Sequence, residues 1–347
     1  MRSIGIDLHK RSLTVCVIDK TTGETFISRF LTNDESRIRA FFEKQQPFEA
    51  VVEASGTYEW LWLLLEPLAE RLVLAHPSKL RIIAESKKKT DRFDARALAH
   101  LLAQDEVPEA YRPSPQQREY QHMVKHRVVL VRQRSRLRVQ IRSILAARNL
   151  DQPGLFGLPK ERFCDLPLPV AEKFRVLELL SLLEVFEKSI DVATRELKAF
   201  REAAPEDQKK NHEIAKSVPG VGDLTADVVL ASLGPVDRFR SVEKVTAYSG
   251  LVPGGRRSDQ RHIELGITKE GPRILRWALT EAAWRATRSS PYWKQIFESI
   301  AKRRGRKKAI IAVARRLLAV IYTLLRKGEL YIEKLNPRSG NPDLERA

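Results

Sequence analysis

The chain contains few of the residues that cross-link small or secreted proteins. Cys16 and Cys164 are the two cysteines among 347 residues, which is too few for a disulfide framework or a zinc site of the usual spacing. No signal peptide or membrane span is predicted, since the apolar stretch 61–74 is short and is interrupted by charged residues and a proline. These shortages exclude disulfide-rich and membrane-spanning classes of protein and fit a reducing cytoplasm.

Acidic residues are scarce in two segments, where basic residues supply the whole net charge. The chain carries a net charge of +18 and has a pI of about 10.0. Residues 116–150 hold nine Lys or Arg and one acid, and residues 301–327 hold ten Lys or Arg and no acid. Positive charge concentrated in this way is typical of nucleic-acid-binding proteins and predicts two phosphate-binding surfaces.

Four acidic residues in the first hundred positions indicate a metal-dependent chemistry. Asp7 and Glu53 each end a short apolar run rich in β-forming residues, so each is predicted to lie on a buried strand. Asp91 and Asp94 are three residues apart, so on a helix they would share one face. Two strand carboxylates facing a helical pair could hold two divalent ions about 3.5–4 Å apart, as in ribonuclease-H-type nucleases, and stabilise both oxygens of a phosphoryl displacement.

A structural alternative exists for each carboxylate taken alone. A single Asp after an apolar strand is more often a turn residue than a ligand. Asp91 and Asp94 could simply be solvated beside the basic residues that surround them. The presence of all four carboxylates in one strongly basic chain favours the metal site.

The order of predicted elements at the N-terminus outlines an α/β domain. A strand ending at Asp7 and a β-hairpin come first, and helices and strands then alternate, which is the pattern of a ribonuclease-H-like (resolvase-like) fold. The predicted hairpin strands are 12–19 and 24–30, the later strands are 48–53 and 73–75, and the helices are 33–45, 56–72 and 89–103.

Two long helices are predicted in the middle of the chain. Residues 116–150 contain no Gly or Pro, and residues 172–201 space their apolar side chains alternately three and four apart over nearly four heptads. Prolines separate the two segments, so the pattern predicts an antiparallel coiled-coil hairpin. The apolar seam could serve this hairpin or a contact with a second copy, and the sequence leaves both open.

The second half is predicted to be helical. Residues 211–290 are predicted to form a compact domain with a helix-hairpin-helix-like turn, in which Gly220 and Gly222 let backbone N–H groups approach a DNA phosphate. The alternative is an ordinary glycine-rich helix start. Residues 292–333 are predicted to be a basic helical tail.

A stretch rich in glycine and proline follows Tyr248 and is predicted to be a functional loop. Ser249 and Ser258 lie in or next to this stretch, close to arginines, and cationic neighbours would stabilise both a serine alkoxide and the phosphate it attacks. On chemistry alone, both serines are better explained as turn residues.

Six short motifs, taken in order, resemble the DEDD transposases of bacterial insertion sequences, which are related to the Piv-type DNA invertases. The motifs span nearly the whole chain and lie at 4–10, 53–56, 89–95, 219–222, 250–253 and 268–271. The resemblance implies DNA cleavage and strand exchange, Mg²⁺ or Mn²⁺ at the four carboxylates, and guidance by a structured noncoding RNA. It also implies a serine that links covalently to DNA. That serine maps onto Ser258, although Asp259 stands where the family has glycine, and Ser249 is the alternative.

The sequence therefore predicts an insertion-sequence transposase of three domains and a tail. The predicted parts are a ribonuclease-H-like DEDD catalytic domain at 1–115, a coiled-coil hairpin at 116–205, an all-α C-terminal domain with the catalytic serine at 206–335, and a disordered tail at 336–347. We expect the active site to combine the N-terminal carboxylates with the C-terminal serine. The predicted nucleic-acid contacts are Arg132, Arg134, Arg136, Arg138, Arg142, Gly220, Gly222, Arg256, Arg257, Lys269, Arg303 and Arg304.

The predicted partners are DNA, at the element ends and the target, and a guide RNA. Further copies of the chain are expected as well, as a dimer that pairs into a tetramer on DNA, and no membrane is involved. The predicted location is the bacterial cytoplasm, at the nucleoid. Two other functions fit parts of the pattern: a structure-selective Holliday-junction endonuclease that uses a metal-activated water, and a nucleic-acid-binding protein with an inactive nuclease domain. The intact set of four carboxylates argues against the inactive domain.

Overall fold

The computed structural model describes residues 1–77, 79–80, 91–258 and 261–332, and at 91–92, 255–258 and 261–265 it describes the backbone alone. The chain divides into two compact units, Met1–Arg112 and Pro113–Ala347. The predicted tail at 336–347 lies outside the described residues. Among the helices of the described part, none has the length and apolarity needed to cross a membrane.

The first unit is built on a five-stranded sheet with the strand order β3-β2-β1-β4-β5. The first three strands are antiparallel neighbours, whereas β4 is parallel to β1 and β5 is parallel to β4. The central strands are buried over nearly their whole length, as expected for near-continuous apolar runs. The strands are β1 (Arg2–Leu8), β2 (Ser12–Asp19), β3 (Thr25–Leu31), β4 (Phe48–Glu53) and β5 (Arg71–Ala75).

Helices cover both faces of this sheet. One face packs its apolar side chains against α1 (Glu35–Glu43) and α2 (Glu59–Leu65), with Phe42 and Trp62 in the shared core. The other face carries α3 (Asp91–Ala103). The backbone of α3 lies so close to Gly5 of β1 that a Cβ atom there would collide with the carbonyl oxygen of Ala95, so this crossing requires glycine.

The predicted order of strands and helices is confirmed in this unit, with one error. The predicted helix 56–72 is too long, because α2 ends at Leu65 and β5 begins at Arg71. Pro67 explains the early end, since proline lacks the N–H that a further helical turn needs. The chain then turns through hydrogen bonds to the carbonyl of Leu65 and enters the sheet.

The second unit begins with the predicted helical hairpin. Helix α4 (Pro115–Ala146) and the long helix α6 (Val170–Glu202) are joined by a connection that contains the short helix α5 (Glu161–Cys164). The pairs Arg138–Glu187 and Arg148–Glu172 show that the two long helices run antiparallel. The predicted seam of α6 is buried at Val176, Leu183, Ile190 and Leu197, so it serves the intrachain hairpin.

The C-terminal part has a helical core interrupted by a β-hairpin. Its elements are α7 (Glu206–Ser217), α8 (Asp223–Leu233), α9 (Val242–Ser249), β6 (Pro253–Ser258), β7 (Arg261–Ile267), α10 (Arg273–Ser289), α11 (Pro291–Arg304) and α12 (Arg306–Lys327). The prediction of an all-α domain is therefore wrong at 253–267. There, β6 and β7 pair antiparallel, with Ser258 opposite Arg261, so a stretch whose glycines suggested an irregular loop forms a hairpin.

The predicted basic tail is also corrected. Helix α12 buries ten residues, and Val313, Leu317 and Ile321 are among those that lie in the core of the C-terminal part. The exposed basic residues instead cluster where α11 meets α12, at Lys302, Arg303, Arg304, Arg306, Lys307 and Lys308. An amphipathic helix with a wide apolar face belongs to a core whatever its net charge.

Candidate active site

Two of the predicted metal ligands lie side by side on the sheet. The register of β1 against β4 pairs Ile6 with Val52, so the same offset places Asp7 beside Glu53. Neighbouring strands lie about 4.7–4.9 Å apart, and residues at paired positions point to the same face. Asp7 is only 8% exposed, and its carboxylate lies 3.1 Å from the ring Nε2 of His9.

The face that carries Asp7 and Glu53 is the one covered by α3. Gly5, two residues before Asp7, contacts the backbone of Ala95, and side chains alternate along a strand, so Gly5 and Asp7 share this face. Asp94 immediately precedes Ala95 and is half-buried. Asp91 begins the helix, and its side chain lies outside the described residues.

The structure brings the strands that carry Asp7 and Glu53 close to the helix that carries Asp94, but it does not show a complete set of metal ligands. Within the part of the chain whose side chains are described, no three His, Cys, Asp or Glu side chains form a group able to hold a metal ion. The donor set nonetheless fits a hard divalent cation, because Asp7, Glu53 and Asp94 all offer carboxylate oxygens. The near burial of Asp7 supports this fit, since a nearby cation stabilises a carboxylate that has lost most of its contact with water.

The glycine-rich turn joins α7 to α8 as predicted, but its two glycines serve different purposes. Gly220 has φ +82°, and a Cβ atom there would collide with the backbone of Ala282 and Ala286 on α10. Gly222 precedes α8, has φ −97°, and has open space where a Cβ would stand. Gly220 is therefore needed for packing, whereas no packing contact requires glycine at position 222.

The two candidate serines have different surroundings. Ser249 ends α9 and is fully buried, and its hydroxyl donates to the carbonyl of Thr246 at 2.6 Å and accepts from the N–H of Leu251 at 3.3 Å. Ser258 is the last residue of β6, where it pairs with Arg261 of β7, and its side chain lies outside the described residues. The Ser249 hydroxyl is therefore committed to the backbone, whereas the assignment of Ser258 as the nucleophile stays a prediction.

The predicted arginines of α4 fall into two groups. Arg138 donates to Glu187 at 2.6 Å and lies 5.1 Å over the ring of Phe156, and Arg142 lies 5.9 Å over the same ring. These contacts hold the hairpin together. Arg132 and Arg136 are exposed, and the guanidinium of Arg132 lies 5.7 Å over the ring of Trp277.

Three of the remaining predicted nucleic-acid contacts, Lys269, Arg303 and Arg304, have exposed side chains. Lys269 is exposed and adopts a positive φ of 58°. Arg303 and Arg304 are exposed at the end of α11. Arg134 is half-buried on α4, and the side chains of Arg256 and Arg257 lie outside the described residues.

A buried polar cluster in the second unit was not predicted from the sequence. Asp227 of α8 is 1% exposed and accepts hydrogen bonds from Tyr120 of α4 at 2.7 Å and from Arg201 of α6 at 2.6 Å. The Nε2 of His212 on α7 lies 3.3 Å from the same carboxylate. Burial and the charge of Asp227 raise the pKa of Tyr120, which keeps its hydroxyl protonated as a donor. The signal for this cluster was Asp227, a carboxylate in the middle of a helix whose neighbouring residues there are apolar.

Comparison with known proteins identifies the class to which this architecture belongs. A family model described as Transposase (DEDD_Tnp_IS110) matches residues 4–148, and one described as Transposase IS116/IS110/IS902 family matches residues 212–298. These matches include the carboxylate-bearing sheet and helix of the first unit and the glycine turn, the hairpin and α10 of the second.

Among the similar proteins, two transposases and a pilin gene-inverting protein match over almost their full lengths. The transposase for insertion sequence element IS1111A of Coxiella burnetii is 27% identical over 95% of this chain and 91% of its own length. A probable family 20 transposase of Pseudomonas aeruginosa is 24% identical over 94% of this chain and 98% of its own length. The pilin gene-inverting protein of Moraxella bovis is 23% identical over 96% and 98% of the two chains.

The chain belongs to the IS116/IS110/IS902 family of insertion-sequence transposases. Members of this family catalyse DNA cleavage and strand transfer, and transposases of the DEDD type typically use a divalent metal. The resemblance noted in the sequence motifs is thereby confirmed.

Proposed function

We propose that the chain transposes its own insertion sequence by cutting and rejoining DNA with carboxylate-bound Mg²⁺ and a covalent serine. One observation carries this proposal: Asp7 and Glu53 lie together on the sheet face over which α3 brings Asp94. The strand order, three antiparallel strands followed by two parallel ones, supports a ribonuclease-H-like domain for this chemistry.

Asp7, Glu53, Asp91 and Asp94 would hold the metal in this proposal. When bound, Mg²⁺ supplies Lewis-acid stabilisation of the charge on the scissile phosphate. The carboxylates would fix the position of the metal and, through it, that of the phosphate, and the apolar packing of the sheet against α3 would hold their backbone in place.

Ser258 is the proposed nucleophile. Its Oγ attacks the phosphorus, so that an Oγ–P bond forms as the bond between phosphorus and one sugar oxygen breaks. The serine loses its proton and the departing sugar oxygen gains one. Attack by a sugar hydroxyl of the other strand then reverses these changes, releasing Ser258 and joining the strands without an external energy source.

The basic surfaces would hold nucleic acid in this proposal. The exposed arginines of α4 and the basic cluster between α11 and α12 are suited to phosphate backbone, which cations bind without reading sequence. We propose that DNA at the element ends and target, together with a structured guide RNA, occupies these surfaces. Strand exchange requires several active sites at one junction, so we propose a dimer that forms a tetramer on DNA, in the bacterial cytoplasm.

The test measures excision from a plasmid that carries the gene for this chain with its flanking DNA. Asp7→Asn should abolish strand cleavage while leaving DNA binding nearly unchanged, because it removes a ligand charge and little else. Glu24→Gln, at an exposed carboxylate in the turn before β3, is the matched control and should excise normally.

Recovery of protein–DNA complexes under denaturing conditions tests the covalent step in the same assay. An adduct that requires Ser258 supports the transposase mechanism. Cleavage that depends on Asp7 but proceeds without an adduct would replace it with the Holliday-junction endonuclease. Equal cleavage by Asp7→Asn and the native chain would remove the metal site from the mechanism.

A further inference from the structure

The base of the hairpin that carries Ser258 is closed by backbone hydrogen bonds between two segments of chain. The N–H of Thr268 donates to the carbonyl of Val252 at 3.0 Å, and the N–H of Lys269 donates to the carbonyl of Gly250 at 3.1 Å. The segment entering β6 and the segment leaving β7 are therefore joined where the hairpin leaves the helical core.

Two glycines let these segments touch backbone to backbone. A Cβ atom on Gly250, where φ is +68°, would collide with the backbone of Glu270. A Cβ atom on Gly271, where φ is +76°, would collide with the carbonyl of Tyr248. Each segment thus supplies a glycine at the point where the other crosses it, and neither position accepts a side chain.

One arginine ties both segments to the core. Nη1 of Arg276 lies 2.8 Å from the carbonyl oxygen of Glu270, 2.9 Å from that of Gly271 and 3.3 Å from that of Ser249. Ser249 belongs to the entering segment and the other two to the leaving segment. Arg276 itself stands on α10, whose neighbouring Leu275 and Leu279 are fully buried.

Because the hairpin is long, a small change of angle at its base moves Ser258 by several ångströms. At about 3.3 Å per strand residue, the six steps from Val252 to Ser258 span about 20 Å, so a tilt of about 10° at the base moves Ser258 by about 3.5 Å. Reacting atoms must approach within about 3–3.5 Å, and a misplacement of about 1 Å can cost about a hundredfold in rate.

We propose that Arg276 is a positioning residue, which fixes the angle of the β6–β7 hairpin and thereby places Ser258 against the scissile phosphate. The inference rests on the proposed role of Ser258 as the nucleophile. It assigns the guanidinium to three backbone carbonyls rather than to phosphate, so Arg276 acts through the hairpin and does not touch DNA.

The experiment compares Arg276→Ala, Arg276→Lys and Arg273→Ala in the full chain. Arg273 is exposed one turn earlier on α10 and controls for the loss of a positive charge. The first measurement is amide hydrogen exchange without DNA. Arg276→Ala should speed exchange at Thr268 and Lys269 by about tenfold, the change expected from losing charged hydrogen bonds, whereas Arg273→Ala should not.

The second measurement is the rate of covalent adduct formation on the plasmid with the gene and its flanking DNA, alongside binding to that DNA. Arg276→Ala should slow the formation of the adduct by about a hundredfold. Its Kd for DNA should be the same as that of Arg273→Ala. Arg276→Lys should recover part of the rate, since an ammonium can also donate to three carbonyls. If Arg276→Ala does not fold, the same two measurements on Arg276→Lys test the inference.

Three results would overturn the inference. Unchanged exchange at Thr268 and Lys269 would mean that Arg276 does not hold the base. Faster exchange with an unchanged rate of adduct formation would mean that Arg276 stabilises the hairpin but does not position Ser258. A Kd weakened far beyond that of Arg273→Ala would make it a phosphate ligand. An active Ser258→Ala variant would refute the proposed nucleophile instead, a result that the exchange measurement on Arg276 does not depend on.

Discussion

Ser249 and Ser258 show how little residue type says about reactivity without surroundings. Both serines lie near arginines in the sequence, but the hydroxyl of Ser249 is sealed in the core with a donor and an acceptor already in place. A serine needs an accessible oxygen and a base or cationic setting before it can attack a phosphate. Ser258 ends β6 opposite Arg261, and its proposed role as nucleophile requires such access.

We expect Ser258→Ala to lose the covalent adduct and all strand transfer while it still binds DNA. Ser249→Ala should keep the adduct but lower the free energy of unfolding by about 1–3 kcal/mol, because two buried backbone groups lose their partner. Denaturing gels score the adduct, and thermal unfolding scores stability. Normal recombination by Ser258→Ala together with an inactive, well-folded Ser249→Ala would reverse the assignment.

Gly220 and Gly222 are a second pair that the sequence alone does not separate. Gly220→Ala should lower the free energy of unfolding by about 2–4 kcal/mol, since it adds an overpacked contact to a left-handed backbone. Gly222→Ala should cost at most about 1 kcal/mol, the scale of a helix-cap change. Chemical denaturation followed by circular dichroism measures both. A stable Gly220→Ala variant would show that α10 can move away from the turn.

At the scale of elements, α4 divides its charge between two tasks. Its partnered arginines, such as Arg138 with Glu187, bind the two long helices together, whereas Arg136 is exposed to solvent. Net charge counted along the sequence does not distinguish these tasks, because a guanidinium already paired with a carboxylate neutralises less phosphate.

We expect Arg136→Ala to reduce the salt dependence of DNA binding more than Arg138→Ala does. Each phosphate neutralised contributes about −0.9 to the slope of log K against log salt on duplex DNA. The slope for Arg136→Ala should therefore fall in magnitude by about 0.9, as measured by titrating non-specific duplex DNA at several salt concentrations. A larger change for Arg138→Ala would mean that its pair with Glu187 opens when DNA binds.

At the scale of the whole molecule, Asp227 links four helices of the second unit. Tyr120, Arg201 and His212 reach its carboxylate from α4, α6 and α7, so the coiled-coil hairpin and the C-terminal core are tied at one buried charge. Such a cluster fixes how these parts pack. Its removal leaves polar groups buried without a partner, which is more costly than losing the bonds themselves.

Asp227→Ala should destabilise the second unit by about 3–5 kcal/mol. Asp223 lies on the same helix as Asp227 and forms an exposed ion pair with Lys216 of α7. Asp223→Ala should lower the free energy of unfolding by about 0–1 kcal/mol. Chemical denaturation of the full chain measures the two variants under identical conditions. If both lose the same small amount, the cluster does not hold the hairpin to the core.

The sequence by itself determined the elements whose signal is local. The strand 48–53 was predicted with the bounds of β4, and the seam spacing from Val176 to Phe200 predicted the helical hairpin that buries it. The motifs around Asp7, Glu53 and Asp94 identified the family. Apolar periodicity and glycine or proline placement are properties of neighbouring residues, so they can be read without knowing what packs against them.

Features that depend on contacts between residues far apart in the sequence were determined only by the tertiary structure. Glycines suggested a loop where β6 and β7 pair, and positive charge suggested a tail where α12 enters the core. The clamp of Arg276 and the cluster at Asp227 join residues far apart in the sequence. A hydrogen bond or buried contact between such residues forms only when the chain folds. Composition and local spacing therefore do not predict which distant residues will be in contact.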